Sequence, residues 1–257
     1  MKRFVKIHRG TALLLFIGII YVAPIGMTII QSFSEDGAFP SFGQYDELLV
    51  TNYTFLGYFW NSMGYSLSIS AVCVFVSLPL GFLFAKVRFW GRDALFFLYI
   101  IAMMLPFQAT LLPNYIQLND FGILNTPLAL FLPLAFSPFA VFLFRQFIKS
   151  VPSELIDYTT LETSSTVRIL RYAVFPQIRP AVTALFVMVF CESWNMVEHA
   201  LIFAANNPDI HPLSVRLGDL PENVTFSAAT VYMFPALMFF MLFKETLAAS
   251  LKRFRWG

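Results

Sequence analysis

The side chains with chemistry to offer fall in two places in this chain. The first is a cluster inside an apolar run: Glu192, Trp194, Asn195, Glu198 and His199. On a helix, Glu192, Asn195 and His199 stand at i, i+3 and i+7 and share one face, while Glu198 follows Trp194 by four positions. An acid at the middle of a bilayer costs about 2.5–3.5 kcal/mol to insert, so it must face a helix bundle or a watery cavity. There its chemistry is hydrogen bonding to a polar solute, with the Trp194 indole as a stacking surface. The alternative is structural: Glu192 or Glu198 bonds a neighbouring helix and Asn195 fixes a helix contact. Metal chemistry is not expected, because one histidine with neighbouring acids supplies too few ligands. No nucleophile–base pattern surrounds the cluster, so no catalytic residue is assigned.

The second place is Ser150 to Pro180, the longest polar run in the chain. Pro152 and Ser153 start a helix, with Glu154 placed favourably against its dipole. Leu155, Ile156, Thr159 and Thr160 then fall at helical spacing. Thr163 to Thr166 is a break, and Thr166 caps a second helix, Val167 to Val174. Phe175-Pro176 and Arg179-Pro180 end that helix before the next apolar run. One reading is an amphipathic loop on lipid headgroups, with Arg168, Arg171 and Arg179 facing phosphates. The other is a docking element for a partner outside the bilayer.

The elements that position these groups are membrane spans. Of the 257 residues 58% are hydrophobic and 12% charged, against about 25% charged in soluble domains. Apolar runs lie at 11–31, 59–85, 94–113, 128–148, 181–204 and 226–247, each long enough for a core of about 30 Å. The first is too long for a signal-peptide core of about 7–15 residues and is read as a span. Pro24, Pro79, Pro106, Pro133, Pro138 and Pro235 should kink their helices. Cys73 and Cys191 lie inside apolar runs and form no disulfide framework.

Orientation follows from Lys and Arg. One set of span ends carries Lys2, Arg3, Lys6 and Arg9; Lys86, Arg88 and Arg92; Arg145, Lys149, Arg168, Arg171 and Arg179; and Lys244, Lys252, Arg253 and Arg255. The opposite ends carry only Arg216. The positive-inside rule places both termini and the 150–180 loop in the cytoplasm. The expected fold is all-α, one polytopic domain over 1–257 with six transmembrane helices. The last outer loop, Pro208 to Pro221 with His211 and Arg216, either touches an external partner or simply connects spans. No G-x-x-x-x-G-K-[ST] sequence is present, so the chain has no P-loop with which to cradle nucleotide phosphates.

Val151-Pro-Ser-Glu-Leu-Ile-Asp-Tyr-Thr-Thr-Leu-Glu-Thr-Ser-Ser165, followed by Val174-Phe-Pro-Gln-Ile-Arg-Pro180, resembles the EAA loop of ABC importer permeases. Further segments agree in order with the carbohydrate branch, the group similar to the second maltose-transporter permease. They are Asn61-Ser62, Arg88-Phe-Trp-Gly-Arg92, Met104-Leu-Pro106, Leu111-Leu-Pro113, Gly122-Ile-Leu-Asn-Thr126, Phe144-Arg-Gln-Phe147 and Trp194-Asn195. The chain departs from the pattern at the loop itself. The family's glutamate is Asp157, its two alanines are Tyr158 and Thr159, and its D-G-A is Glu162-Thr163-Ser164. With the glycine gone, either Thr163 makes a left-handed turn at some cost or the turn differs.

The resemblance implies a type I ABC importer permease in the bacterial inner membrane, importing a carbohydrate. A polyol, glycerol phosphate or acidic oligosaccharide is the alternative, and a non-transport membrane protein the more distant one. It implies a second permease as heterodimer partner, two ATPase subunits and an extracytoplasmic solute-binding protein, within membrane lipid and without nucleic acid. It implies no enzyme activity and no cofactor in this chain, with ATP and Mg held by the partner subunits. Coupling to the ATPase falls to Pro152, Glu154, Leu155, Asp157, Tyr158, Glu162 and Thr163. A shorter acid and a bulky tyrosine suit a cleft of altered shape, and hence a dedicated ATPase. Glu192, Trp194, Asn195, Glu198 and His199 become the expected solute pathway, with Trp194 stacking on a sugar ring.

Overall fold

The computed structural model describes residues 9–35, 39–51 and 53–254, so Lys2, Arg3, Lys6, Asp36, Asn52, Arg255 and Trp256 lie outside it. The described residues form helices and short connections, with no strand beyond an isolated bridge at Glu35. That is what lipid demands, because a helix satisfies its own backbone polar groups. Five helical segments are long and apolar enough to cross a membrane, one of them, Pro127–Lys149, with an internal break, and a bent pair brings the number to six.

The helices are α1 (Arg9–Ser32), α2 (Tyr53–Lys86), α3 (Arg92–Met104), α4 (Phe107–Asp120), α5 (Pro127–Ala135), α6 (Pro138–Lys149) and α7 (Ser153–Glu162). They continue with α8 (Thr166–Trp194), α9 (Glu198–Phe203) and α10 (Thr225–Phe254). Two compact units emerge: residues through 57 with 217–235, and 58–216 with 236 onward. In the first, α1 ends in a polar clasp. Gln44 Nε2 donates to the carbonyls of Gln31 (3.0 Å) and Ser34 (2.6 Å). Ser32 Oγ meets Tyr45 Oη at 2.7 Å, and Asn223 Nδ2 donates to Glu47 Oε2 at 2.6 Å. The large apolar side chains of α1 from Leu13 to Ile30 stay uncovered, as those of a span facing lipid or another chain would.

The second unit has a core that includes Ile69, Phe144, Ile148, Val174, Leu185 and Phe203. Its end nearest the polar loop is tied by cations. Lys86 Nζ donates to Val151 O at 2.7 Å. Arg145 is buried, donates from Nε to Phe84 O at 3.2 Å, lies 3.7 Å over the Phe96 ring and sits 3.8 Å from Asp93. The Arg88–Arg92 turn closes through Gly91 at φ 77°, a left-handed conformation that costs glycine little. At the other end Asn61 Nδ2 donates to Asp209 O (2.8 Å), Tyr65 Oη to Ile210 O (3.0 Å), and Leu213 N to Ser62 Oγ (2.7 Å). The start of α2 thus holds part of the 208–221 segment through directed hydrogen bonds.

Four expectations about the helices need correction. The 94–113 run is two helices bent by 101° at Leu105-Pro106. Both residues are extended, as the residue before a proline and a proline at a helix start prefer. The 128–148 run is one candidate span, Pro127–Lys149, but its helix breaks rather than kinks at Phe136-Ser137, where Pro138 restarts it and Ser137 Oγ accepts from Ala140 N at 3.3 Å. The 181–204 run stops at Trp194. Finally, Phe175-Pro176 and Arg179-Pro180 end nothing. A π-helical turn at Leu170–Val174 precedes Pro176 and gives its ring room, so α8 runs unbroken from Thr166 to Trp194.

Candidate functional site

The polar loop folds into α7 and the start of α8. At about 100° per residue, Leu155, Ile156 and Thr159 fall on one side of α7. These are its partly buried residues, and Leu155 and Ile156 pack on the core beside Ile169, Ala173 and Val174. Glu154, Asp157, Tyr158 and Leu161 fall on the opposite side, with Tyr158 72% and Leu161 84% exposed. Pro152 is extended at the N-cap, Glu162 is exposed, and Thr163 is half-buried. Thr163 has φ −153°, an extended backbone that any residue adopts, so the turn differs from a left-handed one and the missing glycine brings no strain. Ser165, rather than Thr166, occupies the N-cap of α8. Leu161 continues the apolar content of the run in the sequence but was not assigned to the coupling set, although its i+3 and i+4 spacing from Tyr158 and Asp157 was the signal.

A cavity of about 540 Å³ lies in the same unit. Its lining includes Leu105 and Phe107 at the α3–α4 bend, Ser137 and Pro138 at the α5–α6 break, and Glu192 and Ser193 in the last turn of α8. Three helix breaks therefore meet at one space. His199, in the first turn of α9, also lines it, its ring 4.2 Å from the Phe107 ring centroid. The link after α4 sets the position of α9. Asn125, at φ 60°, donates from its backbone to Phe203 O (2.8 Å) and accepts at Oδ1 from Asn206 N (2.8 Å).

The structure brings together only part of the expected pathway cluster. Glu192 and His199 share the cavity, but not as members of one helical face, because the helix ends between them. Asn195 makes that end: its Nδ2 donates to Cys191 O at 2.7 Å. Asn195 and Glu198 are exposed and are not among the lining residues. Trp194 is only 1% exposed, with its ring stacked on Phe190 (5.7 Å, 15°) and edge-on to Phe59 (5.7 Å, 80°). It offers no open face to a sugar, and its role here is to pack the end of α8. Thr110, Asn114 and Gln117 also line the cavity and were missed. They stand at i, i+4 and i+7 in an apolar run, a polar helical stripe that the sequence displays. Among the described residues no group of three or more His, Cys, Asp or Glu is placed to hold a metal.

The family model for the binding-protein-dependent transport system inner membrane component matches residues 77–253. The chain belongs to this family. It is similar to a lactose transport system permease of Rhizobium radiobacter, 31% identical over 188 residues, covering 71% of this chain and 68% of the relative. An arabinooligosaccharides transport system permease of Halalkalibacterium halodurans is 28% identical over 209 residues, covering 77% and 75%. An sn-glycerol-3-phosphate transport system permease of Brucella abortus is 27% identical over 194 residues, covering 72% and 68%. The fold matches a chain in the crystal structure of a bacterial ABC transporter involved in import of the acidic polysaccharide alginate. That match has a TM-score of 0.82 at 17% identity and covers 96% of this chain and 100% of the other. This inner membrane component is thus a multi-pass bacterial transport permease, one subunit of an importer that works with other permease, ATPase and binding-protein subunits.

Proposed function

We propose that this permease forms one half of the pathway of an ATP-driven carbohydrate importer, paired with a second permease as a heterodimer. Two ATPase subunits bind ATP and Mg and grip α7; an extracytoplasmic binding protein delivers the solute. The observation that carries this reading is the two-sided α7. Its inner side is packed on the core, and its outer side leaves Glu154, Asp157, Tyr158 and Leu161 uncovered. An exposed leucine and tyrosine beside two acids is a surface made for a protein cleft. Leu155 and Thr163 anchor the helix, Pro152 sets its entry, and Glu162 closes the exposed end. Contact with α7 that differs between the two ATPase states is what biases the pathway inward or outward. The departures Asp157 and Tyr158 support a dedicated ATPase. The solute reading rests on the lactose and arabinooligosaccharide relatives and on the hydroxyl and amide groups of the cavity.

Two measurements test it. Tagged protein purified from its native membrane should bring a second permease and an ATPase with it; recovery of this chain alone removes the reading. Asp157→Lys should leave folding intact and uncouple ATP hydrolysis from uptake. Normal coupled uptake in that variant contradicts the assignment of α7.

A further inference from the structure

We infer that the cavity at Glu192 rejects anions, so that its solute is hydroxyl-rich and carries neither phosphate nor carboxylate. The inference rests on the importer reading above and narrows its solute class. The lining combines one formal charge, Glu192, with neutral polar groups: Thr110, Asn114, Gln117, Ser137 and His199. None of the described lining residues is Lys or Arg. Three cations of this unit are engaged elsewhere. Lys86 and Arg145 tie the cytoplasmic end, and the Arg216 guanidinium lies 5.3 Å from the Tyr58 ring centroid. Amides and hydroxyls both donate and accept, which suits sugar hydroxyls. Recognition of phosphate or carboxylate calls for guanidinium, ammonium or unopposed helix N-termini. Helix N-termini do reach the cavity, at Phe107, Pro138 and His199. Each arises at a break that also brings a helix C-terminus, at Met103, Leu134 and Ser193, so the opposed dipoles offset one another. The fixed charge left over is the Glu192 carboxylate, which has no ion-pair or hydrogen-bond partner among the described residues.

The test reads the sign of the field without knowledge of the solute. In the purified native complex carrying Cys73→Ser and Cys191→Ser, Gln117→Cys places a thiol on the cavity wall; Asn114→Cys serves if that complex does not assemble. Its rates with a trimethylammonium-bearing and a sulfonate-bearing methanethiosulfonate are compared, each normalised to a free thiol at low salt. The cationic reagent should react faster by about tenfold or more, and added salt should shrink the difference. Glu192→Gln should bring the two rates to within about twofold, and Glu192→Lys should invert them. Equal rates with Glu192 present, or a ratio that Glu192→Gln leaves unmoved, overturn the inference. So does uptake of labelled sn-glycerol 3-phosphate or a uronate oligosaccharide that depends on this chain. Failure to recover an ATPase would sink the importer assembly while leaving the reagent ratio intact, so the two failures are separable.

Discussion

Gly81 lies where α2 crosses α6, just ahead of the polar loop, and its replacement measures how tightly that end of the bundle is closed. A Cβ built at Gly81 meets Phe144 Cβ at 2.6 Å, Arg145 N at 3.1 Å and Phe144 C at 3.2 Å. Carbon–carbon contacts settle at about 3.5–4.0 Å, so the two helices must part by roughly 1 Å. None of the three atoms is the free end of a side chain, so nothing local can swing away. Overpacking of this kind costs about 1–3 kcal/mol. The same displacement stretches the 3.2 Å bond from Arg145 Nε to Phe84 O beyond hydrogen-bond range, a loss of about 1.5–3 kcal/mol for a charged donor. Against this, alanine gains about 0.8–1 kcal/mol of helix propensity over glycine. Gly81→Ala should therefore destabilise by about 2 kcal/mol or more, lowering the apparent melting temperature by about 4–8 °C at roughly 2–4 °C per kcal/mol. The assay is loss of the monodisperse peak in size-exclusion chromatography of heated, detergent-solubilised protein. Gly64→Ala is the control in the same helix, because nothing lies within 4 Å of its added carbon; it should hold or raise the melting temperature. A Gly81→Ala protein as stable as wild type would refute the close crossing of α2 and α6 and the dependence of Arg145 on it.

Two further substitutions probe what positions the cavity and the outer loop. Ser62→Ala removes the acceptor for the buried Leu213 N–H, a loss of about 1–3 kcal/mol. It should speed hydrogen exchange at Leu213, and unchanged exchange would show that the clasp contributes nothing. Trp194→Ala empties a site closed by Phe190 and Phe59, at about 3–5 kcal/mol. It should abolish recovery of folded protein, whereas Trp194→Phe keeps most of the ring packing and should be recovered. Folded, transport-competent Trp194→Ala would mean that the indole is not the packing element it is taken for here.

The membrane architecture was legible because lipid imposes its rules on composition: apolar runs of spanning length, and cations gathered at alternate ends. The start and length of α7 were legible too, because Pro152 and Glu154 mark a helix start and Thr163 to Ser165 mark its end. The breaks were harder to place. Proline signals a kink but not its size: Pro79 and Pro235 sit inside continuous helices, while Pro106 turns the chain by 101°. The stop at Asn195 has no proline or glycine behind it. It is a side-chain amide taking a backbone carbonyl, which no periodicity shows. For the same reason Glu192, Asn195 and His199 looked like one face of a helix that in fact ends within them. The sequence offers Trp194 as a stacking surface and the structure packs it at 1% exposure, because an aromatic beside polar residues in a membrane run fits a pathway and a packed helix end equally well.

The polar cavity and the helix breaks arise from one physical demand. A helix that stops within a membrane leaves backbone groups that need partners or water. Three stops around one space make it a watery place, and that water lowers the cost of a carboxylate there. This explains why Glu192 and Ser193 fall in the last turn of α8, and why the stripe of Thr110, Asn114 and Gln117 begins within a turn of the bend at Pro106. The other end of α8 bears on the polar loop, for α7 packs against the π-helical turn at Leu170–Val174. From Thr166 to Trp194 is 29 residues of helix, roughly 42 Å at about 1.5 Å per residue. In the coupling proposed above, a push on Asp157, Tyr158 and Leu161 would be delivered, through Leu155 and Ile156, to a rod whose far end carries Glu192. Had Pro176 and Pro180 ended the helix, a flexible joint would lie between α7 and the cavity. The π-helical turn that accommodates them keeps the two on one stiff element.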